Sequence, residues 1–564
     1  MPEASSQALE YNTKVEVRLK KTVEKNFTVG VQQYTRDQEQ DGLLLNSSLN
    51  IKQKNTTVIA SGELMQNSLQ LLKNINNSAL WNLYYMQQLL KSLALGAEVK
   101  QESSKFKSPG NDTLQIQSYA YTQGLAFLKW GQKTSQFRID VSRRNDAAPQ
   151  YQSYQQAYST NIVAANGIFQ LKKQIIQLQA QYKTIEVHTT TLTPLKNDKS
   201  ITFQLQHAWQ TFQNAIQHNL QCNGGSGQEQ RRVYTFIEVP AGRGSYTWRD
   251  YNSDGVKQLN EFEQAYNPDE TKYVRILVPT QDFEKVNYFA LYETFNLQPY
   301  KIWSTKKGVK HFVSKFENRL TYKNEVKQYS QNKFFVTTFA PEKNDTSLVS
   351  NSYFMENNLI FNHPFNTFDL RYNYRSTGNT SLLSYGLDTR KKSENEMVVR
   401  YTFNTLSFIQ IYFLDGMKQL NSQFFTLRNY RFNYYSIEPK LNLEIRQSLR
   451  VSLRAKYFVA KETVQLNTET KNVEAGLDLH WYLSSKSFMD GRLSLVNINF
   501  KGDANSTVGY EMLQGLNNGN NGLVYLTFLH QISSTIQINL NYNGRAAKGK
   551  PMIHTGGLEV RYLF

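Results

Sequence analysis

The densest oxygen chemistry in the chain lies at residues 250–261, Asp250-Tyr251-Asn252-Ser253-Asp254-Gly255-Val256-Lys257-Gln258-Leu259-Asn260-Glu261. Laid on a twelve-residue calcium loop, Asp250, Asn252 and Asp254 take positions 1, 3 and 5, and Gly255 takes position 6, where the chain must turn sharply. Val256 offers a backbone carbonyl, Gln258 a ligand at position 9, and Glu261 the two-oxygen closure at position 12. Calcium takes about six to eight hard oxygens, and one short loop supplies them here. The competing reading is an Asx-rich surface turn, because Asn, Asp and Gly favour turns without any metal. Glu261, placed where closure requires it, favours calcium. The paired helices of an EF-hand are not evident. Tyr246-Thr247-Trp248 reads as strand, and only Leu259 to Tyr266 begins a helix. The loop is therefore expected to be a structural clamp and not a sensor.

No other motif carries chemistry. Gly242-Arg243-Gly244 is too short for a dinucleotide fingerprint and lacks a βαβ setting. The eight His show neither a His-x-x-x-His nor a His-Glu-x-x-His spacing. Asn223-Gly224-Gly225-Ser226-Gly227 reads as a flexible turn and not a nucleophile elbow. The single cysteine, Cys222, has no readable base beside it and forms neither a disulfide nor a Cys-based zinc site. No catalytic residue is expected, and a hydrolase ranks last among the functional readings.

The elements that must position the loop are strands. In Phe368-Asp369-Leu370-Arg371-Tyr372-Asn373-Tyr374-Arg375, apolar and polar residues alternate, which puts one face in an apolar medium and the other in water. The same rule runs through Leu441 to Ile445, Leu449 to Tyr457, Val473 to Trp481 and Thr535 to Tyr542. Arg450, Arg454 and Lys456 share one face. These runs are ~10 residues long, the length of a tilted strand that crosses a bilayer. Short breaks at Gln447-Ser448 and Ser484-Ser485-Lys486 alternate with longer polar segments at 461–471 and 501–506, the pattern of short turns on one side and long loops on the other. Earlier strands are Lys14 to Leu19, Phe27 to Val31, Phe137 to Val141 and Ile201 to Gln206. The Gln- and Leu-rich stretches around 64–95 and 168–183 are open to helix.

The chain has 564 residues, with Tyr 35, Phe 32 and only 12 Pro, a composition suited to long unbroken ladders and membrane interfaces. Mean hydropathy is −0.57, and no apolar run is long enough for a membrane helix. A barrel is compatible with both, because alternate residues face a polar lumen. The expected fold class is all-β, a large transmembrane antiparallel β-barrel of about 20–26 strands with an inserted calcium-loop segment. Net charge is +18, but Lys and Arg form no dense block, so nucleic acid is not an expected partner.

Three regions follow: 1–230, β-rich with barrel strands and some helix; 231–285, the insert with the calcium loop; and 286–564, barrel strands ending at Phe564. Leu558, Val560, Tyr562 and Phe564 share one face of a last strand of the kind the barrel-assembly machinery recognises. Met1-Pro2-Glu3-Ala4-Ser5 lacks the regions of a signal peptide, which an outer-membrane protein requires. Either a leader has been removed or the chain is the C-terminal part of a longer one.

The stretch Gly242-Arg243-Gly244-Ser245-Tyr246-Thr247-Trp248-Arg249-Asp250-Tyr251-Asn252-Ser253-Asp254-Gly255, running on to Gln258-Leu259-Asn260-Glu261-Phe262-Glu263, resembles a segment of large, poorly characterised outer-membrane barrel proteins of Bacteroidota. The resemblance is specific over 230–280 and generic beyond. It implies location in the outer membrane and a barrel architecture, and no activity. Outer-membrane lipid, the barrel-assembly machinery and a protein partner in the envelope are the expected partners. The expected function is transport or export across the outer membrane through a charged lumen that includes Arg371, Arg450, Arg454 and Asp478. The alternative is a structural or surface-interaction anchor with a calcium-stiffened loop.

Overall fold

A computed structural model describes residues 10–562 except 23, 37–39, 70–73, 108–111, 133, 194, 331–346, 363–366, 384–385, 405 and 465–467. The fold is all-β: 76% of the chain is strand, nearly all antiparallel, and among the described residues 25 long strands and two three-residue ones form one large sheet. The 25 long strands fall inside the expected range, but they run from the 12 residues of Lys25–Arg36 to the 25 of Tyr273–Leu297, longer than the ~10-residue runs of alternation that mark them in the sequence. Phe564, the proposed closing residue, lies outside the described residues.

The chain divides into two compact units, 1–208 with 221–227, and 209–220 with 228–564. In the first, strands run from Glu10–Thr22 to Asp198–Thr211, each pairing with the next through Gln174–Val187. The described residues of 10–230 hold no helix, contrary to the expectation of some helix in that region, and the described parts of 64–95 and 168–183, which the sequence leaves open to helix, are strands and their tight turns. Asn74–Leu90 and Leu93–Lys107 form one hairpin, and Ser153–Leu171 and Gln174–Val187 form another. Gln and Leu are good helix formers, but residue-by-residue pairing to a neighbour overrides that weak preference.

Asn223 to Gly227 is not a turn either, but the middle of the strand Ile216–Glu238. A Cβ on Gly225 would lie 2.5 Å from the carbonyl oxygen of Ile201. The glycine therefore permits close backbone approach, and the Ser226 hydroxyl accepts a 3.3 Å hydrogen bond from the Ile201 N–H.

In the second unit the strands from Tyr273–Leu297 to Lys550–Tyr562 each pair antiparallel with the next. Tight turns follow Arg446 and Ser484, as expected, and the opposite strand ends carry the longer connections 423–429, 463–468 and 502–518. Because Ile216–Glu238 pairs with Tyr273–Leu297, the connection 239–272 leaves the sheet at this same long-loop end.

Four neighbouring strands, Tyr430–Arg446, Leu449–Glu462, Glu469–Ser484 and Ser487–Lys501, show how side chains divide between the two faces. At the turn end the covered face holds Lys440, Asn442, Ser452, Arg454, Asp478 and Ser494, and the open face shows Ile437, Leu453, Leu477 and Leu493. At the long-loop end this is reversed. There the covered face is Tyr430, Phe432, Tyr434, Phe458, Ile498 and Phe500, and the open face is Arg431, Asn433, Lys461, Lys471 and Asn499. The helix Thr507–Leu513, capped by the Ser506 hydroxyl, packs Val508, Met512 and Leu513 against those aromatic residues.

Candidate functional site

The site is built at the long-loop end of the second unit. A short hairpin, Tyr246–Trp248 with Phe262–Gln264, brackets the acidic loop. Its pairs set Trp248 opposite Phe262 and Thr247 opposite Glu263. Gly244 lets the chain lie against the next strand, since a Cβ there would meet the Tyr273 nitrogen at 2.6 Å. Phe262 stacks on Phe236 at 4.0 Å between ring centroids and meets Tyr273 edge-on. The hairpin is thereby anchored on the ends of both flanking strands. Tyr246 to Trp248 is strand, as expected, whereas Leu259 to Tyr266 forms one 3-10 turn, Leu259–Glu261, and then strand.

Of the six loop residues, Asp250, Asp254 and Glu261 converge, with one carboxylate oxygen of each within 4.8 Å of the others. The turn between them uses positive φ at Ser253 (59°) and Gly255 (72°). Asp250 accepts from the N–H groups of Asp254 (3.2 Å) and Gly255 (2.9 Å). Asn252 Oδ1 accepts from the Asp254 N–H, and the amides of Asn252 and Gln258 donate to Asp254 at 2.8 and 2.6 Å. Val256 donates its N–H to Asp254. Glu261 is 1% exposed. Its Oε2 accepts from the Trp248 indole at 2.8 Å and from the Gln258 N–H at 3.3 Å. Its Oε1 has no hydrogen-bond partner among the described residues. A buried carboxylate oxygen left unpaired costs on the order of 1–3 kcal/mol or more. An all-oxygen acidic cluster with such an atom suits a hard cation. The residues fit a metal ion, with Asp250, Asp254 and Glu261 as its ligands.

Two residues beyond Glu261, sequence reasoning missed the larger electrostatic feature. Glu263 is completely buried, ion-paired to Arg428 at 2.6 Å and to Arg390 at 3.4 Å. Arg428 is buried too and stands on the 3-10 turn Thr426–Arg428, while Arg390 comes from the strand Gly386–Asn404. Further along, Tyr266 donates to Glu511 on the helix Thr507–Leu513, and Lys418 pairs with the same carboxylate. Tyr510 donates to Glu270 at 3.2 Å, and Arg545 pairs with Asp269 and Glu270. Gly515 has a positive φ and leaves room for Asn267, which donates to the Gln514 carbonyl. The segment 239–272 and the loop 502–518 thus form one cap. Burial pushes the phenols of Tyr251, Tyr266 and Tyr510 well above their ordinary range, and the Glu511 carboxylate adds to the shift at Tyr266. None of these partners is near in sequence, so the only signal was an excess of charged and aromatic residues in long loops.

The charged residues expected to line a lumen lie on the covered face toward the turn end. Arg454 pairs with Glu474 (2.7 Å), and Lys440, Arg492 and Arg454 all surround Asp478, at 2.8, 3.0 and 3.5 Å. Arg450 lies 3.9 Å from Glu444, and Arg371 pairs with Asp369. Cys222 is half-buried.

No family model and no curated protein matches the chain. Solved structures that align with it include the siderophore receptor PirA from Pseudomonas aeruginosa, at 8% identity over 98% of this chain and 80% of that one, with a TM-score of 0.31. The copper transporter OprC aligns at 7% identity over 99% and 80%, also at 0.31. The RagAB peptide transporter aligns at 8% over 91% and 73%, at 0.30. At these values the likeness assigns neither family nor function. Among the described residues no helix is long and apolar enough to cross a membrane, which leaves crossing by strands open.

Proposed function

We propose that this chain is an outer-membrane β-barrel of the transport or export type, whose outer end carries a cap held by calcium at Asp250, Asp254 and Glu261. The observation that supports it is the reversal of polarity along the four strands from Tyr430 to Lys501. In water, an open face of Leu453, Leu477, Leu493 and Leu495 over a covered face of Arg454, Asp478 and Lys440 would be inside out. In a bilayer the same arrangement satisfies both faces: lipid takes the apolar one, and a wet lumen takes the charged one. The apolar band covers 473–481 on one strand, within the ~9–11 residues a tilted strand needs to cross the hydrocarbon. Tyr435 and Tyr457, 6.5 Å apart, sit at its upper edge and Trp481 at its lower edge, where aromatic residues favour the membrane interface. The long-loop end then faces outward.

The charged lumen favours passage of a solute, and the cap over the same face makes the passage a gated one. A surface anchor is the second reading, favoured by how thoroughly the cap is buried.

The test is the detergent-extracted protein, followed by heat-modifiable gel mobility and conductance in planar bilayers. The transport reading expects a folded form that resists detergent until boiled. It also expects low conductance that rises at least about tenfold when the cap contacts are broken by Glu263→Gln with Glu511→Gln. An anchor gives the folded form but no conductance in either protein. Partition into the aqueous phase without detergent would overturn the membrane reading.

A further inference from the structure

Resting on the barrel reading above, we infer that occupancy of the 250–261 loop by calcium decides whether the cap is seated on the sheet. Two observations point to the cation: the convergence of Asp250, Asp254 and Glu261, and the buried Glu261 oxygen that no donor among the described residues satisfies. All offered atoms are oxygens, with no His or Cys among them, which selects a hard divalent ion. A flexible twelve-residue loop suits calcium better than magnesium, which demands near-ideal octahedral geometry and keeps its waters.

The consequence for the cap follows from the short path between the loop and the latch. Glu261 closes the loop and is tied to Trp248 through its side chain and to Arg249 through its carbonyl, which accepts the Arg249 N–H at 2.8 Å. Trp248 pairs with Phe262, and Thr247 with Glu263. Glu263 is the carboxylate held between Arg428 and Arg390 of the sheet. Calcium in the loop neutralises the repulsion among three carboxylates and holds Glu261 inside. Without it, the cheapest relief is for Glu261 to swing to water. That opens the Trp248–Phe262 pair and loosens Glu263 from its two arginines. One hairpin therefore couples the ion to the buried latch. At the outer end of a barrel, affinity in the roughly 0.1–1 mM range of extracellular calcium modules would suffice.

The experiment uses the full chain in detergent micelles, in calcium and in EGTA, with three readouts. Terbium luminescence sensitised by Trp248 reports occupancy, trypsin cleavage at Arg243, Arg249 and Lys257 reports cap seating, and heat-modifiable mobility reports the barrel. The inference expects one terbium site that calcium displaces. The site is lost in Glu261→Gln and weakened at least tenfold in the exposed variant Asp254→Asn. It also expects cleavage in 239–272 to rise at least tenfold in EGTA while the heat-modifiable form persists. Equal cleavage in both buffers, or terbium binding that survives both substitutions, would overturn it. Loss of the heat-modifiable form in calcium and EGTA alike would instead overturn the barrel reading beneath it.

Discussion

The two ends of the strands between Tyr430 and Lys501 share one backbone ladder and one alternation, yet they are opposite in chemistry. At the turn end the covered face is charged and the open face apolar; at the long-loop end the covered face is aromatic and the open face charged. In the barrel reading proposed above, only the medium differs: lipid against the open face would require Leu453 and Leu477 there, whereas above the bilayer the open face would meet water, and the covered face meets the cap. Burial is thus not a property of residue type here. Phe432 and Arg454 lie on the same face, each satisfied by a different neighbour, Met512 and its relatives for the one and Glu474 for the other.

The largest effect should come from the cap end of the covered face. Phe432→Ala removes a buried ring from the cluster around Met512 and should destabilise the cap by about 3–5 kcal/mol. Denaturant unfolding followed by cleavage in 239–272 should show the cap lost first, with the barrel persisting. A smaller loss is expected from the lipid-facing band. Leu477→Arg should cost about 2–4 kcal/mol, the range for a basic residue near the bilayer midplane, read as reduced yield of the heat-modifiable form. If it is tolerated, the band is not in lipid and the comparison fails.

Alkaline titration should separate the ends next. The Tyr251, Tyr266 and Tyr510 phenols are raised by burial, so the folded cap prefers them protonated. Their contribution is complete below the ordinary phenol value near pH 10 and is lost as the pH climbs through the raised values. Tyrosinate absorbance should rise together with cleavage of the cap. The smallest effect belongs to the open face above the bilayer. Asn499→Arg there should change stability by less than about 0.5 kcal/mol, measured as for Leu477→Arg. A cost equal to that of Leu477→Arg would mean that the two ends do not differ in medium.

Much of this was readable in the chain. Strict alternation from Phe368 to Tyr542 placed strands with their faces, and the Asp250 to Glu261 spacing marked the loop whose three acids do converge. Other features misled for local reasons. Gln- and Leu-rich stretches suit either helix or strand until a partner strand is present, and Gly224-Gly225 looks like a turn until Ile201 is seen lying against it.

By itself the sequence determined the period-two pattern, the tight turns after Arg446 and Ser484 and the cation-loop spacing, because these depend on residues within about a dozen positions of one another. Only the tertiary structure decided which face is covered at each end, and that Glu263 meets Arg390 and Arg428 and that Glu511 meets Lys418 and Tyr266. Those contacts join strands and loops far apart in the chain. Their strength comes from exclusion of water by the assembled cap, which no local pattern encodes.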